Sequence, residues 1–200
     1  MKEIMKYNDI LYRVEDNWPI EGVNFIDLTP TLTDAKRLKI VAEALKTNII
    51  ENNGDIDFIV SPDARGFLWG SYIAALLEKP IIPIRKSGKL PDSFVMSRTS
   101  DTTEYSNIEL VLPEVNLENK LCVFIDDVYA TGGTYKACKK LINENNAVLE
   151  GAYVVYDVLL SQDKVNSLMT SNELNLATVY NPEQEQAKKR VLANNHRLGA

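Results

Sequence analysis

Leu121-Cys-Val-Phe-Ile-Asp126-Asp127-Val-Tyr-Ala-Thr131-Gly132-Gly133-Thr134 is the stretch that decides the fold. Leu121–Ile125 is apolar throughout and reads as a strand buried on both faces, as in the middle of a parallel sheet. Two adjacent acids follow, then a Thr-Gly-Gly-Thr loop, then a helix beginning near Tyr135. A strand–loop–helix corner binds phosphate well, because free backbone N–H groups and the helix dipole both face the anion. Glycines let the backbone approach closely, and Thr131 and Thr134 add hydroxyl donors. A carboxylate pair beside such a cradle repels phosphate, so Asp126 and Asp127 should hold sugar hydroxyls, Mg²⁺ or both. A phosphorylated ribose carries all of these features at the right separation. The plainer alternative is a helix N-cap preceded by surface acids.

The bulk numbers narrow the classes. Two hundred residues with 45% apolar content suffice for one well-cored domain. A formal charge of −6 argues against nonspecific nucleic-acid or anionic-membrane partners. No apolar run approaches a bilayer span, and the N-terminal Met-Lys-Glu-Ile-Met-Lys lacks the apolar core of a signal peptide, so a cytoplasmic protein is expected. The two cysteines, Cys122 and Cys138, fall in a buried strand and its following helix and read as small core residues. A single histidine, His196, removes most histidine-based mechanisms and leaves proton chemistry to carboxylates, lysines or tyrosines.

Along the chain, residues 1–33 carry Trp18-Pro19, Gly22 and Thr29-Pro30 and read as an irregular but ordered cap. Trp18, Ile20, Val23, Phe25, Ile26 and Leu28 are too apolar to leave in water. Thr33 or Asp34 should cap a helix whose apolar face is Leu38, Val41, Ala42, Leu45 and Ile49, with Gly54 beyond its end. A strand over Ile56–Val60, a helix over 66–78 and a strand over Ile81–Ile84 form a βαβ unit. Residues 86–106 are polar, hold no convincing element and read as a functional lid, with Ile108–Leu112 as its returning strand. After the acidic motif come a helix to about 145, a strand over 148–156, a weaker helix over 162–170 and a last strand over 175–180. The expected fold is α/β, a central mainly parallel twisted sheet flanked by helices. It is read as one domain over 1–200, with a cap over 1–33, a core over 34–180 and a tail over 181–200.

Two further constellations carry chemistry. Ser61-Pro62-Asp63-Ala64-Arg65-Gly66-Phe67 follows a buried strand and opens a helix, so it is a second anion corner, now with an arginine able to fork onto phosphate oxygens. Arg85-Lys86-Ser-Gly88-Lys89 puts three cations within five residues of an acidic protein. A turn with a solvated arginine and a solvated basic turn are the respective alternatives. Two phosphate corners on neighbouring parallel strands suit a substrate with phosphates at both ends.

Asp126-Asp127-Val-Tyr-Ala-Thr-Gly-Gly-Thr134 resembles the phosphoribosyl-pyrophosphate (PRPP) motif of type I phosphoribosyltransferases. It is neither a Walker loop nor a Rossmann fingerprint. Ala64-Arg65-Gly66-Phe67-Leu68, then Arg85-Lys86-x-Gly88-Lys89-Leu90-Pro91, is similar to the adenine phosphoribosyltransferase branch of that family. So are the upstream Pro19-x-x-Gly22-Val-x-Phe25-x-Asp27-x-Thr29-Pro30 and the later Glu104-Tyr105-x-x-x-Glu109-Leu110. The match runs from about residue 16 to 160.

That resemblance implies a type I phosphoribosyltransferase-like fold with an N-terminal hood and a flexible catalytic loop, and residue roles to go with it. Asp126 and Asp127 would hold the ribose 2′- and 3′-hydroxyls, and Ala130, Thr131, Gly132, Gly133 and Thr134 would wrap the 5′-phosphate. Asp63, Ala64 and Arg65 would form the pyrophosphate loop, often with a non-proline cis peptide. Lys86, Lys89 and Tyr105 would reach the pyrophosphate, some from a partner subunit of a homodimer. Glu104 would be the acid/base near N7 of the purine, making Glu104, Arg65 and Lys86 the catalytic set. Phe25 and Val158 would sandwich the base, and backbone groups around Asn24 and Ile26 would read its edge. The implied cofactor is Mg²⁺ brought by the substrate, with Asp126 and Asp127 as candidate ligands.

Three departures stand out. Ile26 replaces the arginine of the family's Phe-Arg-Asp, Asn24 replaces a small apolar residue, and Ser61-Pro62 replaces a Gly-acidic approach. An amide at position 24 would suit a 6-oxo purine, whereas recognition through backbone atoms would survive both the Asn24 and the Ile26 changes. The implied activity is transfer of the phosphoribosyl group from PRPP to adenine, giving AMP and pyrophosphate in purine salvage. Transfer to hypoxanthine, guanine or xanthine, and a non-catalytic PRPP-sensing regulator, remain the alternatives. A sensor would need an output module, and no basic helix-turn-helix is visible.

Overall fold

A computed structural model describes residues 4–7, 9–103, 106–158 and 175–180. The expected strand over Leu121–Ile125 is the middle of a longer one, β8 (Leu121–Tyr129), at the centre of the molecule. Around it lies a seven-stranded sheet in the order β10-β9-β8-β4-β5-β7-β6. Its members are β4 (Phe58–Pro62), β5 (Ile81–Lys86), β6 (Val95–Thr103), β7 (Ser106–Pro113), β8, β9 (Val148–Asp157) and β10 (Asn175–Tyr180). The run β10 to β5 is parallel, and β7 and β6 extend it antiparallel.

Both faces of this sheet are covered, which is why its central strands run apolar over Phe58–Val60 and Leu121–Ile125. Val123 and Ile125 pack with Tyr153 and Val155 under α2 (Ala35–Asn53) and α3 (Arg65–Leu77). Cys122 and Phe124 pack with Ala152 and Val154 under α4 (Gly133–Asn143). Both cysteines are buried in this second layer, and burial pushes the Cys122 thiol up to about 12, so neither is poised for chemistry. Asp34 caps α2 by accepting from the N–H groups of Lys36 and Arg37, each at 3.1 Å.

Topology places the site. From β4 the chain crosses through α3 to β5 on one side; from β8 it crosses through α4 to β9 on the other. The carboxyl ends of β4 and β8 therefore flank a topological switch point, where parallel sheets open a crevice.

Four sequence expectations need correction. The first is that residues 1–33 are irregular. Instead β1 (Met5–Tyr7), β2 (Ile10–Glu15) and β3 (Phe25–Asp27) form an antiparallel sheet, tied across by an Arg13–Asp27 ion pair of 2.8 Å. The short helix α1 (Thr29–Leu32) is locked to β2 by Thr31, whose hydroxyl both accepts from and donates to the Leu11 backbone at 2.7 Å. At three residues each, β1 and β3 are too short for a period-2 pattern to register. The second is that all the apolar cap residues leave water. Ile26 and Leu28 do, but Trp18 is 51% exposed and Ile20 47%. Trp18 instead packs edge-on against Phe25 with centroids 4.6 Å apart.

The third concerns residues 86–106, expected to hold no element. Strand β6 occupies Val95–Thr103 and pairs with β7 from Val95↔Pro113 to Thr103↔Ser106. Its Ser/Thr/Asp-rich sequence hides a strand whose stability comes from β7 and from packing on α4, just beyond whose end the Asn145 amide donates to Ser97 Oγ at 2.8 Å. The fourth is that β8 stops before the acids; it runs through them. The expected helix over 162–170, the tail over 181–200 and the pair Glu104 and Tyr105 lie outside the described residues.

Close packing of α3 on β4 depends on Gly70, where a Cβ would fall 1.9 Å from Ser61 Oγ. Ser61 is fully buried and donates to the Ile125 carbonyl at 3.0 Å, stitching β4 to β8 beyond their ladder. Gly70→Ala is expected to cost about 1–3 kcal/mol by overpacking. Adding Ser61→Ala should return part of that loss. Urea unfolding of the two single variants and the double variant measures it, and unchanged stability of Gly70→Ala contradicts this packing.

Candidate active site

Asp126 and Asp127 sit on β8 just before its end, and each is shaped by its own backbone. The Asp127 N–H donates to Asp126 Oδ1 and the Val128 N–H to Asp127 Oδ1, both at 2.8 Å. Burial, and next the Asp127 charge, push the Asp126 carboxyl well above the usual carboxylate range. Burial also raises Asp127, and the Arg65 guanidinium, with Nε 3.1 Å from Asp127 Oδ2, pulls it back down. Two desolvated carboxylates side by side favour any ligand that supplies hydroxyl donors or a cation.

Beyond them the chain turns through Ala130, Thr131 and Gly132 into α4. Gly132 has φ +77°, and a Cβ there would lie 2.4 Å from the Tyr129 hydroxyl, so glycine is required on two counts. The buried Tyr129 ring thus forms the floor of this turn; burial pushes its phenol up to about 12, keeping it neutral. Gly132, Gly133 and Thr134 open α4, leaving first-turn N–H groups available to an anion.

The second corner joins β4 to α3. The Asp63–Ala64 peptide is cis, as the resemblance implied. The Asp63 carboxylate is paired within the protein. Its Oδ2 accepts from Arg85 Nε at 3.2 Å and from the Lys86 N–H at 3.1 Å. Arg65 spans the site: beyond its contact with Asp127, it donates to the Ile26 carbonyl at 2.8 Å and lies 4.9 Å over the Phe25 ring. At Gly66 a Cβ would come within 2.8 Å of the Pro62 ring and 3.0 Å of Asp126 Oδ1, so the second corner presses directly on the first.

Both corners open into one cavity of about 420 Å³. Asp63, Ala64, Arg65, Lys86, Asp126, Asp127, Ala130, Thr131, Gly132, Gly133 and Thr134 all line it. Lys89 is exposed and is not part of that lining. Phe25 lines a second cavity, also about 420 Å³, with Arg13, Glu15, Trp18 and Asp27. Ile26 points into the core at 5% exposure, so only its backbone is offered to a ligand, while Asn24 is exposed. Val158 packs beside the core and donates its N–H to the Tyr129 carbonyl at 2.8 Å. Among the described residues, Tyr129 and Tyr135 are the contributors that sequence reasoning missed. Both were visible as aromatics in and just after the glycine motif; Arg85, read as one of three cations able to neutralise pyrophosphate, pairs with Asp63.

Among the described residues no three His, Cys, Asp or Glu side chains cluster as a self-sufficient metal site. The two carboxylates of β8 are hard oxygen donors whose anionic forms are disfavoured without a cation. That donor set fits Mg²⁺, which keeps waters and phosphate oxygens in its shell instead of taking an all-protein cage.

Comparison with known proteins agrees with this geometry. The model of the phosphoribosyl transferase domain family matches residues 29–188. An adenine phosphoribosyltransferase of Mycoplasmopsis agalactiae is 38% identical over 152 residues, covering 75% of this chain and 86% of that protein. Another, from Corynebacterium diphtheriae, is 41% identical over 148 residues, covering 73% and 78%. The crystal structure of the Thermoanaerobacter pseudethanolicus adenine phosphoribosyltransferase superposes with a TM-score of 0.74 at 29% identity, covering 84% of this chain and 94% of that one. The Saccharomyces cerevisiae enzyme, solved with an imino-altritol bisphosphate and adenine, gives 0.73 at 26% identity over the same shares. With two strand–loop–helix corners at one switch point, an acid pair between them and these relatives, the chain belongs to the phosphoribosyltransferase family, in its adenine phosphoribosyltransferase branch.

Proposed function

We propose that this enzyme transfers the 5-phosphoribosyl group of PRPP to adenine, forming AMP and pyrophosphate in purine salvage. The observation that carries the reading is the single cavity joining the β8 acids and phosphate turn to the β4 corner. PRPP has a 5′-phosphate for the turn at 130–134, a diol for Asp126 and Asp127, and a pyrophosphate for Ala64, Arg65 and Lys86. The whole chain is read as one phosphoribosyltransferase domain working as a cytoplasmic homodimer. Among the described residues no helix is long and apolar enough to cross a membrane.

The reaction breaks the C1′–oxygen bond to pyrophosphate and forms the bond from C1′ to N9 of adenine. Positive charge grows on the ribose ring while negative charge grows on the leaving group. Arg65 and Lys86 stabilise that leaving charge as it develops, the role in which fixed cations contribute most. Asp126 and Asp127 orient the ring through its hydroxyls, holding C1′ between base and leaving group. Bound at these two carboxylates and the substrate phosphates, Mg²⁺ would supply further charge neutralisation. Glu104 takes up the proton that the imidazole ring of the base must lose, through N7. Phe25 provides a stacking face, and backbone groups near Ile26 read the base edge. Because the Ile26 side chain is turned into the core, the replacement of arginine there leaves those backbone atoms in place.

Incubation with PRPP, Mg²⁺ and each of adenine, hypoxanthine, guanine and xanthine tests this directly. AMP from adenine is expected; product from only a 6-oxo base moves the specificity, and no product with PRPP still bound indicates a sensor. Glu104→Gln should lower turnover by about 10²–10⁴ with PRPP affinity nearly intact, the range of general acid–base catalysis. Unchanged turnover in a steady-state assay removes Glu104 from the mechanism.

The acid pair also predicts a pH dependence. Their folded-state pKa values are raised, so their stabilising contribution to the ligand-free protein is present below the unfolded value and lost as pH rises through the raised ones. A ligand that takes ionised carboxylates works against this, so Mg²⁺–PRPP should bind more tightly as pH rises across the same window, releasing protons. Calorimetry in two buffers of different ionisation enthalpy should detect that release, and identical heats contradict it.

A further inference from the structure

Two phenols stand on the wall of the catalytic cavity. Tyr129 ends β8, Tyr135 lies in the first turn of α4, and both line that space. At 6% and 1% exposure, neither can count on bulk water. Among the described residues the Tyr135 hydroxyl is buried without a partner, and no hydrogen bond takes that of Tyr129. A buried hydroxyl left unpaired is costly, and a ligand entering the cavity is the partner on offer. Of the two, Tyr129 reaches the turn that opens α4. Measured from where a Cβ on Gly132 would stand, its Oη lies at 2.4 Å, its Cζ at 2.9 Å and its Cε1 at 3.5 Å. The ring therefore meets the turn with its hydroxyl first.

That ring is fixed from behind. Tyr135 packs against it with centroids 6.4 Å apart and is itself edge-on to Phe124 at 5.4 Å. Burial first, then Tyr135 and Asp157, push the Tyr129 phenol up to about 12, so its proton is there to donate. Gly132 is the N-cap of α4, and the N–H groups beside it are those available to an anion. On the proposed function this turn receives the 5′-phosphate, with every contact assigned to residues 130–134. We propose that Tyr129 is a further substrate-binding residue, its hydroxyl donating to a 5′-phosphate oxygen alongside the N–H groups of the turn. It gives the phosphate a donor that carries no charge, and the phosphate gives the phenol its partner.

The inference rests on the proposed function for the identity of the anion, and its test reads phosphate binding apart from base chemistry. Titrate AMP, ribose 5-phosphate and, separately, Mg²⁺–pyrophosphate into wild type and Tyr129→Phe. Loss of one charge-assisted hydrogen bond should weaken AMP and ribose 5-phosphate roughly tenfold, with the KM for PRPP rising alike and pyrophosphate affinity unchanged. Phenylalanine keeps the ring, so a tyrosine that merely packs beneath Gly132 loses nothing by the exchange. Unchanged affinity for AMP and ribose 5-phosphate, or equal weakening of pyrophosphate, overturns the proposal. Should the variant fail to fold, a crystal structure of wild type with AMP carries the test. The Tyr129 Oη is then expected roughly 2.5–3.0 Å from a phosphate oxygen, and a separation beyond hydrogen-bond reach overturns the proposal. Wild type that binds ribose 5-phosphate but makes no AMP from adenine would instead count against the base assignment and leave Tyr129 in place. Wild type that binds neither AMP nor ribose 5-phosphate overturns both.

Discussion

Parallel pairing of β4 with β8 is the constraint on which the rest of the molecule depends. Phe58↔Cys122, Ile59↔Val123 and Val60↔Phe124 fix the register, and the buried Ser61 hydroxyl on the Ile125 carbonyl extends it to the strand ends. Because the two following helices leave to opposite faces, both corners stay at the mouth between those ends. Two glycine-bearing corners consequently face one space. Loss of this register by one residue would turn Val123 and Ile125 to the wrong layer and carry Asp127 away from Arg65.

Charge in this site is arranged by pairing, not by an excess of one sign. A protein of formal charge −6 must bind a polyphosphate with few cations to spare. It does so by assigning partners: Arg85 takes Asp63, Arg65 takes Asp127, and Lys86 stays at the cavity wall. Backbone N–H groups at the start of α4 add positive potential without adding side-chain charge. Arg65 does more than pair with Asp127. Its hold on the Ile26 carbonyl and the Phe25 ring ties the hood to the β8 acids through a single side chain.

How legible all this was in the sequence follows from length and locality. β8, β9 and the two corners were readable because continuous apolar runs and Thr-Gly-Gly-Thr place strong, local restrictions on the backbone. The hood sheet was not, since its β3 is three residues long and draws its stability from Arg13–Asp27 and Thr31 across the fold. Strand β6 was hidden for a related reason: Ser97, Thr99 and Asp101 have no strand pattern of their own and are held by β7. The roles of Arg65 and Arg85 needed three dimensions, because a cation in a motif reads the same whether it points at a ligand or at Asp63, 22 residues away. Likewise the substitution of Ile26 looked like a change in the base site, and the structure turns that side chain inward.

The central claim is that both corners grip one molecule. A crystal structure of the protein with PRPP and Mg²⁺ tests it most directly. The account predicts the 5′-phosphate within the turn at Ala130–Thr134, the ribose diol on Asp126 and Asp127, and the pyrophosphate against Ala64, Arg65 and Lys86. Density for the sugar phosphate at any other surface, or for phosphate at only one of the two corners, would contradict it.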